Sequence, residues 1–259
     1  MVKSKKAQLI FRIIYVLIGI VGIIGSFGTF RGNYNPNWYL MFTNISNYIC
    51  FFVMLSLLCY TARDMRKGIT HGETSQAPLF RFCTCIMILI TFLVFNTLLG
   101  NPFTSAYWTD IQSLIMHLIL PVMFIVDYML FSKKRSVNVF APLYACIMPL
   151  IYVLFILIRA EALLGTGAFV FPYYFLDFQS IGWGAVVLFL FILMLVFVGF
   201  GYLLWAYDKL VRKDNGKLGF DFTRLPKPVE IVEDNQTNDC LMNENKEELV
   251  ENKEDNIQE

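Results

Sequence analysis

Charge is scarce in this chain. Only 16% of its 259 residues are Asp, Glu, Lys or Arg, where a soluble domain needs about 25% to cover its surface. Histidine is scarcer still, with His71 and His117 as its two copies. One His inside an apolar run and no H-E-x-x-H give a zinc site little support. The six cysteines form no disulfide framework. Cys50, Cys59 and Cys146 lie inside apolar runs, Cys83 and Cys85 make a C-x-C with no His nearby, and Cys240 is near the C-terminus. Reduced, packed thiols are the reading that follows. No segment alternates polar and apolar residues for long, which argues against a β-barrel. The G-x-G of Gly199 and Gly201 lacks a strand–turn–helix context and indicates no nucleotide site. The first apolar run is too long for a signal peptide and no A-x-A follows it, so it reads as an uncleaved span.

What is present in quantity is hydrocarbon. Hydrophobic residues make up 57% of the chain, in blocks of about twenty, the length that crosses roughly 30 Å of membrane. The sequence predicts an all-α, polytopic membrane protein with six transmembrane helices, over about 9–30, 39–60, 80–99, 111–131, 140–158 and 183–207. Basic residues are segregated. Lys3, Lys5, Lys6 and Arg12 mark the N-terminal end, Arg63, Arg66, Lys67 and Arg81 the second loop, "SKKRS" the fourth, and Lys209, Arg212, Lys213 and Lys217 the exit from the last span. Loops one (31–38), three (100–110) and five (159–182) carry only Arg31 and Arg159. Basic loops stay inside, so both termini are expected to be cytoplasmic and the protein a multi-pass plasma-membrane protein.

The chain divides at residue 213. Residues 1–213 form the six-span domain, and 214–259 a cytoplasmic tail. From residue 230 onward the tail has eleven acidic residues against two lysines, a composition that predicts disorder. In the first span Gly19, Gly22, Gly25 and Ser26 would let helices approach closely, and Pro149 is expected to kink the fifth.

The polar residues inside the spans carry the functional signal. "FTNISN" opens the second span and sets Thr43, Asn44, Ser46 and Asn47 together. Thr43 is placed about 6 Å into that helix and His117 about 9 Å into the fourth, both entering from outside. Asn96 of the third span comes to a similar level. Asp110, Ser113 and His117 are spaced i, i+3, i+7 and make one stripe. Pro121 follows His117 by four residues and cannot donate to its carbonyl, which leaves that acceptor for another partner.

A hydroxyl nucleophile needs a base to take its proton. Thr43 and His117 have those residue types, and Asn44 or Asn47 could donate to a developing oxyanion. The competing reading is structural. A Thr in a span bonds the carbonyl one turn back, and Asn and Ser join helices. An ionisable His within a span is a functional candidate by default. Asp127, near the inner end of the fourth span, reads as a partner for Lys133 or Lys134, or as snorkelling. Arg159 and Glu161 read as a mutual pair. The fifth loop, long and aromatic, either rests its rings at the headgroup level or folds back as a lid, with Asp177 reaching toward His117.

Three stretches, "WYLMFTNISN", "HLILPVMFIVDYMLF" and "FPYYFLDFQSIGWG", resemble an uncharacterised bacterial family of six-span integral membrane proteins. That family is distantly similar to the androgen-induced and androgen-dependent six-span proteins of animals, threonine hydrolases of fatty acid esters of hydroxy fatty acids. The resemblance implies Thr43 as nucleophile and His117 as base. It makes a lipid-ester hydrolase acting near the outer leaflet the expected function, with a membrane lipid or acyl ester as partner. Ser113, Asn96, Asp110 and Asp177 join Asn44 and Asn47 as expected substrate-side residues. No cofactor, metal or nucleic acid is called for. A transporter or scaffold is the alternative.

Overall fold

The computed structural model describes residues 4–100, 103–214 and 217–220. Six helices are long and apolar enough to cross a membrane: α1 Lys5–Ser26, α2 Phe42–Arg66, α3 Pro78–Leu99, α4 Ile111–Phe131, α5 Ala141–Leu163 and α6 Trp183–Leu210. The protein is therefore a multi-pass, all-α membrane protein. A short antiparallel hairpin follows α6, with β1 Val211–Asp214 paired to β2 Lys217–Phe220. The hairpin takes up the start of the predicted tail, and the expected disorder falls on residues 221–259, outside those described.

Helix α1 begins four residues before the predicted span. Ser4 caps it by accepting from the Ala7 amide, and two of its basic residues are held internally: Lys5 pairs with Asp64 at 2.8 Å, and Arg12 is fully buried. Paired cations need not wait outside the bundle, so the helix starts earlier than hydropathy alone suggests. The helix also ends at Ser26, four residues before the expected end, and α2 starts only at Phe42, so the first loop is longer than expected. Helix α5 breaks after Tyr144 and resumes at Ile147. Pro149 has no N–H for the carbonyl of Ala145, and the break comes at that level rather than at the proline.

Glycines set the helix spacing. A Cβ on Gly19 would lie 2.6 Å from Phe51 of α2, and one on Gly22 would lie 2.9 Å from Ile115 of α4. The core this creates joins Tyr15, Met54, Phe82, Ile86, Met116 and Phe124, all buried. The outward faces of α5 and α6 are apolar and exposed at Leu154, Ile158, Val187, Phe191 and Leu195, as lipid-facing surfaces are.

One end of the bundle gathers the basic segments. Ser4 bridges to His71, Thr74 bridges to Ser132, and the Arg135 amide donates to Asp208 Oδ2 at 2.8 Å. The chain start, the α2–α3 loop, the α4–α5 loop and the end of α6 thus lie together.

Candidate functional site: a cavity beside a polar seam

A cavity of about 390 Å³ lies between α2, α3, α5, α6 and the fifth loop, within the roughly 300–1,000 Å³ range of small-molecule pockets. Its wall is almost wholly apolar. Thr43 enters it from α2, Thr91 and Phe95 from α3, Met194 from α6, and Tyr173 from the loop. The fifth loop folds back onto the helices, burying Phe175 and Leu176 against Leu40, Tyr152 and Ile156. Burial pushes the phenol pKa of Tyr173 up, and the hydroxyls of Thr43 and Tyr152, turned toward it, oppose the rise.

Beside the cavity runs a seam of hydrogen bonds between α2, α3 and α4. The Asn47 amide donates to the carbonyls of Thr43 and Met116, each at 2.8 Å. Ser46 donates to the Thr43 carbonyl and meets Thr91 Oγ1 at 3.0 Å. Asn96 donates to the carbonyl of His117 at 3.2 Å, the acceptor that Pro121 leaves open, and accepts from the Tyr107 hydroxyl. Both α3 and α4 widen into a π turn at this level, over Phe95–Leu99 and Ile115–Ile119. Such turns recur at functional sites.

The stripe on α4 is present in altered form. Asp110 caps the helix by accepting from the Ser113 backbone N–H at 3.1 Å. Ser113 Oγ lies 3.2 Å from His117 Nδ1, which also faces the Ser113 carbonyl at 3.0 Å. A carbonyl only accepts, so in the neutral ring Nδ1 carries the hydrogen and Nε2 the lone pair.

Thr43 and His117 do not face each other directly. Thr43 lines the cavity, whereas His117 lies behind Phe95, whose ring stacks on the imidazole with centroids 3.4 Å apart. No hydrogen bond among those described joins the two side chains; the link between their helices is Asn47. Asn47 does not act as a free donor, and Asn44 has one of its two N–H groups engaged. Asn47 holds two carbonyls, and Asn44 donates to the Trp38 carbonyl at 2.8 Å. Asp177 does not reach toward His117. Its carboxylate accepts from the amides of Gln179 and Ser180 and from Ser180 Oγ at 2.6 Å, and those bonds hold its pKa below the usual carboxylate range, Ser180 first. Arg159 donates to the carbonyls of Phe169 and Val170 rather than pairing with Glu161.

The largest departure is at the other end of the bundle. Asp127 pairs with Arg12 and Arg81, not with Lys133 or Lys134. Arg12 Nε lies 2.9 Å from Asp127 Oδ1, and Arg81 Nη2 meets Oδ2. Arg12 also donates to Thr74 Oγ1 at 3.0 Å and to the Leu57 carbonyl at 3.2 Å. The signal was there in "LIFRIIYVL" and "FIVDYML". Two opposite charges inside apolar runs are cheapest when joined.

Comparison with protein-family models, with curated proteins and with solved structures finds no match to the chain.

Proposed function

We propose that the protein binds the acyl chain of a membrane lipid or acyl ester in the cavity between α2, α3, α5 and α6, at the plasma membrane and with both termini cytoplasmic. The observation that carries this reading is the cavity itself. Its apolar wall suits a hydrocarbon chain, and the hydroxyls of Thr43 and Tyr173 give it one polar region for a head group. The gathering of basic segments at one end supports the orientation.

Hydrolysis of a bound ester is the second reading, and it rests on the His117 ring. With Nδ1 donating to the Ser113 carbonyl, Nε2 is the basic nitrogen. Thr43 Oγ1 would add to the ester carbonyl and pass its proton to Nε2. The alcohol would leave with that proton, and water would then release the acid from Thr43. The reaction requires Phe95 to move, because its ring covers His117 on the cavity side. The geometry at rest favours binding over turnover.

The test is a fluorogenic long-chain ester offered to the purified protein in lipid nanodiscs. Saturable binding without turnover assigns a lipid-binding role. Turnover lost in both Thr43→Ala and His117→Ala, each still folded, assigns the hydrolase. Neither binding nor turnover moves the assignment to transport or scaffolding.

A further inference from the structure

A second pocket, of about 300 Å³, lies between α2 and the first turn of α3, away from the Thr43 cavity. Ile49, Phe52, Val53 and Phe80 make its apolar wall, and Ser56, Gln76 and Arg81 its polar part. Phe52 and Phe80 are exposed on the outside of the bundle, so the pocket opens sideways, where lipid lies.

Arg81 is the unusual member. It is 2% exposed. Its Nη2 bonds both the carboxylate and the carbonyl of Asp127, while Nε and Nη1 have no hydrogen-bond partner among the described residues. The amide oxygen of Gln76, in the same wall, has none either. Two guanidiniums, Arg12 and Arg81, share the single carboxylate of Asp127. Nearby Lys5 and Asp64 neutralise each other at 2.8 Å. Within this buried triad two guanidiniums therefore share one carboxylate, and Arg81, which lines the pocket, keeps two nitrogens without a hydrogen-bond partner among the described residues. A buried, uncompensated charge is strongly unfavourable unless an anion meets it. The pocket also abuts the start of α3, where Pro78 opens the helix and the first-turn N–H groups add positive potential.

We infer that this pocket binds the anionic head of a membrane amphiphile, a carboxylate or phosphate ester, through Arg81, with its hydrocarbon chain against Phe52, Val53 and Phe80. Guanidinium is the side chain suited to such groups. The inference stands apart from the Thr43 cavity and does not depend on hydrolysis.

The experiment uses the full chain in phosphatidylcholine nanodiscs. A long-chain fatty acid bearing a diazirine is cross-linked by light, alongside its neutral methyl ester, and labelled peptides are mapped by mass spectrometry. Arg81→Gln removes the cation. Ser56→Trp fills the pocket and leaves the Arg12–Asp127–Arg81 cluster untouched, so it reports even if Arg81→Gln fails to fold. The acid should label residues 49–56 and 76–81, and the ester should not; Arg81→Gln should lower labelling at least about tenfold, the size of one charged hydrogen bond lost, and Ser56→Trp should lower it at least as much by filling the pocket. Excess inorganic phosphate should not compete. Equal labelling by acid and ester, unchanged in Ser56→Trp, would leave Arg81 merely hydrated and overturn the inference. Full protection by inorganic phosphate would assign the site to a free anion and overturn the amphiphile. Labelling confined to α5 and α6 would support the Thr43 cavity and not this pocket.

Discussion

Phe95 lies flat on His117, with ring centroids 3.4 Å apart and planes 13° from parallel. The same phenylalanine lines the cavity that holds Thr43. One side chain therefore stands between the proposed base and the proposed nucleophile. Phe95→Ala is expected to open the cavity onto His117. Carbethoxylation of His117 by diethyl pyrocarbonate should rise several-fold, and stability should fall by about 1–3 kcal/mol, less than a fully buried Phe would cost.

The Arg12–Asp127–Arg81 cluster predicts an asymmetry between ion pairs. Asp127→Asn leaves two buried guanidiniums without their carboxylate and should cost about 3–5 kcal/mol. The Lys5–Asp64 pair reaches water through Asp64, whose side chain is 34% exposed. Asp64→Asn leaves the buried Lys5 ammonium next to that opening and should cost about 1–3 kcal/mol, less than Asp127→Asn. Thermal unfolding in one detergent ranks the two variants directly.

Helix spacing gives a paired test. Gly22→Ala puts a methyl 2.9 Å from Ile115 Cγ2 and 3.0 Å from Met116 Sδ. It should destabilise by about 1–3 kcal/mol through overpacking. Gly199→Ala meets nothing within 4 Å. It should be neutral or stabilise by up to about 1 kcal/mol, since Ala loses less backbone freedom in a helix.

Lys134, in the α4–α5 loop, supplies a pH dependence. Burial is the main cause that lowers its pKa from 10.5 to about 8; Asp208 opposes it and Arg81 adds to it. Its ammonium also lies 4.9 Å from the ring centroid of Tyr128 and 4.6 Å from that of Tyr207. The folded value is the lower one, so between pH 8 and 10.5 the unfolded chain binds more protons. Stability from this group therefore rises with pH across that window. Its burial penalty is fully present below pH 8. Lys134→Gln should remove that rise, read as the difference in Tm between wild type and variant along the pH series.

Much of the helical plan is legible in the sequence because span length and apolar content are dictated by the bilayer. The spans at 80–99 and 111–131 lie within two residues of α3 and α4. The open carbonyl of His117 was equally legible, since a proline four residues on leaves no other outcome, and Asn96 fills it. Where a partner is remote, local pattern fails. Arg12 and Asp127 are 115 residues apart, and proximity in sequence suggested Lys133 or Lys134 instead. The lid alternative points Asp177 at a distant imidazole, whereas its own neighbours Gln179 and Ser180 offer a helix cap at no loop-closure cost. Depth along a helix placed Thr43 and His117 near one another, but depth says nothing of the direction in which each side chain leaves, and Phe95 occupies the space between.

Native mass spectrometry of the protein released from membranes in mild detergent tests most directly whether the Thr43 cavity holds a lipid chain. With the other pocket blocked by Ser56→Trp, the protein is expected to carry a bound lipid or acyl ester, lost when Met194→Trp is added to fill the cavity from α6. Ser56→Trp without bound lipid, or retention undiminished when Met194→Trp is added, would contradict it.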